Sequence, residues 1–281
     1  MIAPCSAGRN DNAAMTSMPY NPAAFRVPAD AYDALIGRFL PTLAPAFADA
    51  AGVRVGMRAL DVGCGPGGLT AELVRGLGAV AVSAINPSPP FVQACRARLP
   101  GIDAVVGTAE DLPFEDGQFD VALASLVVPF MTDPVAGVRE MARVTAPGGA
   151  VALCFWDLAR MPTIRTYWEA VGLVLGESSA DMQRLGSKQG QLADLLRQAG
   201  ITEIEESVLT ATARCTDFHD WWRAFAAGAG PVGQHLISLV ETDRERVREA
   251  CYELLGRPEG SFELTASAWC AVGAKRVVAQ K

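Results

Sequence analysis

Histidine is nearly absent from this chain of 281 residues, which has only His219 and His235. That scarcity excludes most metal-ligand arrangements. The seven cysteines, at positions 5, 64, 95, 154, 215, 251 and 270, contain no CxxC pair, and an odd, widely spaced set predicts reduced thiols, not a disulfide or zinc framework. Basic residues are in deficit, 24 against 31 acidic, and the formal net charge of -7 leaves no basic face to neutralise a row of phosphates. No nucleic-acid partner is expected. The long apolar runs, Val121 to Met131 among them, fall short of the roughly 20 residues needed to cross a bilayer, so no membrane span is expected. The segment Met1 to Asn21 mixes Pro4, Arg9, Asn10, Asp11, Asn12 and Pro19 with short residues and lacks a charged stretch followed by an apolar block. It predicts a flexible leader over residues 1–20 of a cytoplasmic protein.

With 50% hydrophobic and 20% charged positions in 29.6 kDa, the remainder can bury one sizeable core. Residues 21–281 are expected to form one domain, since no linker long enough to separate two is present. Between Ala59 and Phe155, continuous apolar runs alternate with segments of helical period, the pattern of βαβ units in a parallel sheet. Strands are predicted at Arg58 to Val62, Ala79 to Ile85, Ile102 to Gly107, Phe119 to Ala124 and Ala150 to Phe155. Each is a largely apolar run, as a strand covered on both faces should be. Helices fall at Gly68 to Gly76, Pro89 to Leu99 and Pro134 to Val144, the last closed by Ala146-Pro147-Gly148-Gly149. Upstream, Ala29 to Ala51 predicts a helical pair kinked at Pro41 and Pro45. Downstream, helices are predicted at Met161 to Gly176 and Gln189 to Gly200, a strand at Ile201 to Arg214, a helical stretch from Asp217 to Leu255 broken near Gly228 to Gly233, and a final strand over 261–278.

The informative segment is Leu60-Asp61-Val62-Gly63-Cys64-Gly65-Pro66-Gly67-Gly68-Leu69-Thr70, in which a strand enters a glycine-rich turn and then a helix. Glycine there lets a ligand approach the backbone with no Cβ in the way. Gly63, Gly65 and Gly68 also satisfy the GxGxxG dinucleotide fingerprint, so the spacing alone does not choose a cofactor. Asp61 does: a carboxylate beside a pyrophosphate would repel it, whereas it suits a ligand with a cationic end.

The sequence resembles the class I S-adenosylmethionine-dependent methyltransferases, and within them the ubiquinone and menaquinone biosynthesis group. The resemblance rests on Leu60 to Thr70, on Ala84-Ile85-Asn86-Pro87-Ser88, on Gly107 to Phe114 followed by Asp116-Gly117-Gln118-Phe119-Asp120, and on Arg143 to Gly149, in that order. It implies a doubly wound, seven-stranded Rossmann-like α/β sheet with the last strand antiparallel and a helical cap. The cofactor-binding core would span 58–156, and cap and substrate elements 21–51 and 157–255. S-adenosylmethionine is the implied cofactor. Gly63, Gly65 and Gly67 would lie against its methionine and ribose parts, with Asp61 bonded to the loop or, through water, to the ammonium. Thr70 would add a hydroxyl near the carboxylate. Thr108 and Ala109 would border the adenine, Glu110 would accept from its exocyclic amine, and Ser125 would lie beside the sulfonium. Tyr32 and Arg38 resemble residues that close over the methionine tail; a core tyrosine and a solvated arginine are the competing readings.

One position departs from the family pattern. Where both methyltransferases and dinucleotide enzymes carry Asp or Glu to accept from the ribose hydroxyls, this chain has Asn86. An amide offers one acceptor oxygen and puts a donor where the second acceptor should be. The loss predicts binding weaker by about 1 to 3 kcal/mol, one to two decades in Kd, unless Asn86 serves altered cofactor handling. The partner implied is a small-molecule methyl acceptor, mostly apolar or aromatic. Trp156, Tyr167, Trp168, Phe218, Trp221, Trp222, Phe225 and Trp269 concentrate aromatic surface in the substrate half, where core packing competes with pocket lining. If the acceptor needs a general base, His219 is the catalytic candidate, with His235 the second and a surface or packing role the alternative for each. An NAD-dependent oxidoreductase and a non-catalytic cofactor-binding protein remain as alternative functions.

Overall fold

In the computed structural model, which describes residues 27 to 276, the apolar runs form one seven-stranded sheet. The predicted leader over 1–20, and Val277 and Val278 of the predicted last strand, lie outside the described residues. The parallel strands are β1 (Ala59–Val62), β2 (Val82–Asn86), β3 (Asp103–Val106), β4 (Phe119–Ser125) and β5 (Thr145–Trp156), followed by β6 (Thr202–Cys215) and β7 (Phe262–Ala274). Every residue of β1 and β2 is buried, as doubly covered strands require. The spatial order is β3-β2-β1-β4-β5-β7-β6, and β7 runs antiparallel to both β5 and β6.

Ten α-helices complete the described residues. α1 (Ala29–Leu35) and α2 (Leu40–Ala50) precede the sheet, and α3 (Gly68–Leu77), α4 (Pro89–Arg98) and α5 (Pro134–Val144) connect parallel strands. α6 (Pro162–Leu175) and α7 (Gln191–Gln198) precede β6, whereas α8 (Phe218–Ala226), α9 (Gly230–Ser238) and α10 (Glu241–Leu254) lie between β6 and β7. α5 starts where the sequence signals it: Asp133 accepts the Ala136 amide at 3.0 Å and Pro134 occupies the first turn, where its missing N–H costs nothing. Because the chain winds one way from β1 to β2 and the other way from β4 to β5, right-handed crossovers put α3 and α5 on opposite faces. The crevice opens where the order reverses, between β1 and β4.

Three local expectations need correction. The N-terminal helical pair breaks at Ile36 to Phe39, not at the prolines. Pro41 sits in the first turn of α2, and Pro45 is carried inside the helix by burial of Leu43, Ala44, Phe47 and Ala48. The segment Ala146 to Gly149 is not a free turn but the extended start of β5, because Gly148 and Lys275 hold it through Gly148 N–H to Lys275 O and Lys275 N–H to Gly149 O, both 2.9 Å. The helical stretch to Leu255 breaks a second time, at Leu239 and Val240.

Candidate active site

The site starts where β1 turns. A Cβ on Gly63, whose φ is 78°, would stand 2.1 Å from Val127 Cγ2 at the exit of β4. One on Gly67, with φ 100°, would meet Cys95 Sγ of α4 at 2.9 Å. Only glycine allows both the left-handed backbone and these approaches. Asp61, 1% exposed, accepts the Thr70 hydroxyl at 2.7 Å and is bonded by the Thr70 backbone. Burial pushes its carboxyl up to about 7, and the Thr70 bonds oppose that rise. Asp61 is thus a tether between β1 and the first turn of α3. The expectation for Thr70 needs correction: it is fully buried, bonded to Asp61 and not part of the cavity wall.

Along the carboxyl ends of β1 to β5 lies an open cleft lined by residues from all five strands or the turns that follow them. Tyr32, Gly63, Gly65, Asn86, Thr108, Ala109, Glu110 and Ser125 all line it. Tyr32 stands over the glycine loop, with its ring 5.5 Å from that of Phe91, and burial together with Asp33 and Asp61 raises its hydroxyl well above its ordinary value. It is a hydrogen-bond donor, not a base. The Asn86 amide is oriented by its neighbour: Oδ1 accepts the Ser88 amide at 2.8 Å, which fixes the remaining N–H₂ as the group available elsewhere. Glu110 Oε1 accepts the amides of Thr132 at 2.7 Å and Asp133 at 3.2 Å, so it anchors the loop after β4 as well as lining the cleft.

Four of the residues expected to bind the cofactor lie outside the wall of the cleft: Asp61, Gly67, Thr70 and Arg38. Arg38 is neither solvated nor aimed at a ligand. Its Nε donates to Ala34 O, and Nη1 donates to Cys215 Sγ at 2.8 Å and reaches Asp220 at 3.5 Å, bridging the N-terminal helices to α8. His219 is exposed on α8 and is not among the residues that line this cleft, so the cleft lends its candidacy as a base no support. His235 lies between the Tyr167 hydroxyl, 2.6 Å from Nδ1, and Glu177, 3.0 Å from Nε2, again off the cleft wall. Of the aromatic cluster, Trp156 alone lines the cleft; Tyr167, Trp221 and Phe225 are core.

The far half of the cleft comes from segments that carry no motif. Leu35 and Ile36 line it from α1 and its end, Phe155 and Trp156 from β5, Ile164 from α6, and Ala229 to Val232 from the start of α9. Phe130 and Arg184 complete it, the guanidinium 4.9 Å over the ring. Leu126, which follows Ser125 and lines the cleft, has φ 63° in a residue with a Cβ, a strained conformation. Periodicity held no signal for Arg184 or Gly230; Leu126 carried one only as part of the apolar run after β4.

The family model described as a methyltransferase domain matches residues 60–153. An uncharacterised methyltransferase of Mycobacterium tuberculosis (strain ATCC 25618 / H37Rv) is 39% identical over 118 residues, 41% of this chain and 46% of the relative, so the match spans about half of that protein's length. The demethylmenaquinone methyltransferase of Clavibacter sepedonicus is 31% identical over 197 residues, 64% of this chain and 76% of the relative. The chain belongs to the class I S-adenosylmethionine-dependent methyltransferases. A crystal structure of Haemonchus contortus phosphoethanolamine N-methyltransferase 2 with S-adenosyl-L-methionine shares this methyltransferase fold, with TM-score 0.55 at 15% identity over 89% of this chain and 57% of that one. The methyltransferase cofactor fits this cleft by two observations: Gly63 and Gly65 of the loop line it, and a Cβ on Gly65 would meet nothing nearer than the Tyr32 ring at 3.8 Å, so the loop backbone is open there to a ligand. Asn86 is the one lining group that departs from the family's acidic residue.

Proposed function

We propose that the protein transfers a methyl group from S-adenosylmethionine to a small, mostly apolar or aromatic acceptor. The carrying observation is one cleft whose lining combines glycine backbone and short polar side chains with the apolar Leu35, Ile36, Phe130, Phe155, Trp156 and Ile164. When bound, the cofactor supplies a methyl on a sulfonium, already activated for in-line displacement. The work left to the chain is binding and alignment, for which positioned reactants gain large effective molarities.

In this reading Tyr32 donates to the methionine carboxylate, and the Gly63 and Gly65 backbone carries the methionine and ribose. Thr108, Ala109 and Glu110 border the adenine, and Ser125 lies beside the reacting centre. Asp61 acts through the loop: bonded to Thr70, it holds the first turn of α3 at the end of β1. The apolar wall excludes water from the acceptor, and the C. sepedonicus relative, named for a menaquinone precursor, supports an apolar acceptor. The NAD-dependent alternative finds no support in the family comparisons. A non-catalytic binder is favoured by one observation, Asn86.

The test is titration of S-adenosylhomocysteine by calorimetry, followed by transfer of labelled methyl to a panel of quinols, phenols, carboxylic acids and amines. Micromolar binding with turnover supports the proposal, binding without turnover across the panel favours the binder, and no heat at millimolar ligand defeats both.

A further inference from the structure

Helix α9 has nine residues and a break in the chain at each end. At its start Gly228 and Gly230 have φ of 73° and 65°, and at its end Leu239 and Val240 are extended, with ψ of 146° and 154°. Ala229 to Val232 line the cleft, so the position of α9 decides part of the lining. Burial of Val232 and Leu236 presses the helix onto the core, but apolar contact is non-directional and leaves its rotation and its shift along the axis to polar bonds. Gln234 Nε2 and Ser238 Oγ donate within the segment, to Gly228 O and His235 O, both at 2.7 Å. Among the described residues, the hydrogen bonds that tie α9 to another element run through His235.

His235 joins α9 to α6 and to the segment that follows it. The Tyr167 hydroxyl is 2.6 Å from Nδ1, Glu177 Oε2 is 3.0 Å from Nε2, and the ring packs on Trp168 with centroids 4.8 Å apart. In the neutral ring the hydrogen belongs on Nε2, since a carboxylate only accepts, and Nδ1 is left with the lone pair that accepts the Tyr167 O–H. Burial, with Cys251 and Glu177 nearby, raises the Tyr167 hydroxyl well above its ordinary value and keeps it a donor. The clamp lies one turn behind the cleft on both helices. Ile164 lines the cleft from the first turn of α6 and Tyr167 follows three residues on; Val232 lines it from the first turn of α9 and His235 follows three residues on. Residues three apart share a helix face, so the bond between Tyr167 and His235 fixes the spacing of Ile164 and Val232.

We propose that His235 is a positioning residue of the acceptor site: through Tyr167 and Glu177 it holds the start of α9 to α6, so that Ile164 and Val232 present one fixed apolar surface to the acceptor. The inference rests on the methyltransferase reading and deepens it by naming what sets the shape of the acceptor site. His235 lies off the cleft wall and moves no proton in the reaction.

The test compares two affinities in the full chain by calorimetry: S-adenosylhomocysteine, and then 2-naphthol, a neutral aromatic probe, on protein saturated with S-adenosylhomocysteine. Tyr167→Phe removes the hydroxyl and keeps the ring stacked on Phe225, 5.2 Å away. It is expected to bind 2-naphthol about 5- to 10-fold more weakly, with S-adenosylhomocysteine affinity within about 2-fold of the wild type. His235→Ala should lose at least as much, and His235→Asn, whose Oδ1 can replace Nδ1 as acceptor of the Tyr167 hydroxyl, should recover most of it. Glu177→Ala, at a half-exposed side chain outside the core, should weaken 2-naphthol by about 2- to 5-fold and gives the same reading without disturbing a buried residue. A merely structural bond would lower both affinities in parallel or neither. Unchanged 2-naphthol affinity in Tyr167→Phe and Glu177→Ala, parallel loss of both ligands, His235→Asn no better than His235→Ala, or no binding of 2-naphthol by the wild type at about 1 mM overturns the proposal, while binding of S-adenosylhomocysteine leaves the methyltransferase reading intact. Failure of the wild type to bind S-adenosylhomocysteine counts against that reading and this inference together.

Discussion

The near and far halves of the cleft are made from different materials. The near half is built largely of backbone: glycines at 63 and 65, and the segment from 107 to 110, with each element following its strand within a few residues. The far half is built of side chains contributed by segments more than a hundred residues apart in sequence, from Leu35 to Val232. Backbone recognition tolerates almost no substitution, whereas a wall of side chains can be rebuilt one residue at a time. The first suits a cofactor shared by a family and the second an acceptor that differs between members.

The comparison is sharpest at Gly63. Gly63→Val collides with Val127 and forces a branched residue to positive φ, so S-adenosylhomocysteine affinity should fall more than about 100-fold, with a stability loss of about 2 to 4 kcal/mol in urea denaturation. An intact near half in that variant breaks the comparison.

Asp61→Asn comes next. The folded protein holds the Asp61 proton to about pH 7, whereas the unfolded chain releases it near the usual carboxylate value of about 4. Between those limits the native state binds more protons, so stability falls as pH rises from about 4 to 7, by a few kcal/mol at most. Urea midpoints at pH 4.5 and 7.5 should differ by less in Asp61→Asn than in the wild type. Equal differences would show that the Asp61 carboxyl is already ionised across this range.

Asn86→Asp should tighten S-adenosylhomocysteine binding by about 10-fold, since Oδ1 continues to accept from Ser88 while Oδ2 replaces a donor with a charged acceptor. A calorimetric Kd that stays level would assign Asn86 to something other than weakened binding. The smallest effect belongs to His219→Ala, on the exposed face of α8, which should move neither cofactor affinity nor labelled-methyl turnover by more than about 2-fold.

Much of the near half was legible because local chemistry dictates it. A strand, a glycine turn and a helix within eleven residues leave few conformations, and Gly63, Gly65, Asn86, Thr108, Ala109, Glu110 and Ser125 all reach the cleft wall. Strands β1 to β4 were legible for a similar reason, since each is a short, largely apolar run bounded by turn residues. The misplacements occur where tertiary contact overrides a local signal. Pro45 stays inside α2 because Leu43, Ala44 and Phe47 are buried around it, and the break moves to Gly37, where a Cβ would strike Asp33 Oδ1 at 2.7 Å. Arg38 is drawn away by Cys215 and Asp220, residues about 180 positions later, which no local pattern could announce. Arg184 lacks a motif altogether; what marks it is its place on the cleft wall, over the Phe130 ring.

The position of β7 between β5 and β6 also bears on how the chain reaches this state. Residues 262–274 are synthesised after every other strand of the sheet, yet they supply the hydrogen bonds that join β6 to the rest. Until they arrive, the edges that β7 will cover, at β5 and at the fourteen-residue β6, stay open on a ribosome-bound chain. The cofactor half can assemble during translation, but the sheet closes only by insertion of its last strand, and the interval before that insertion is when the nascent protein is most exposed to pairing with its neighbours.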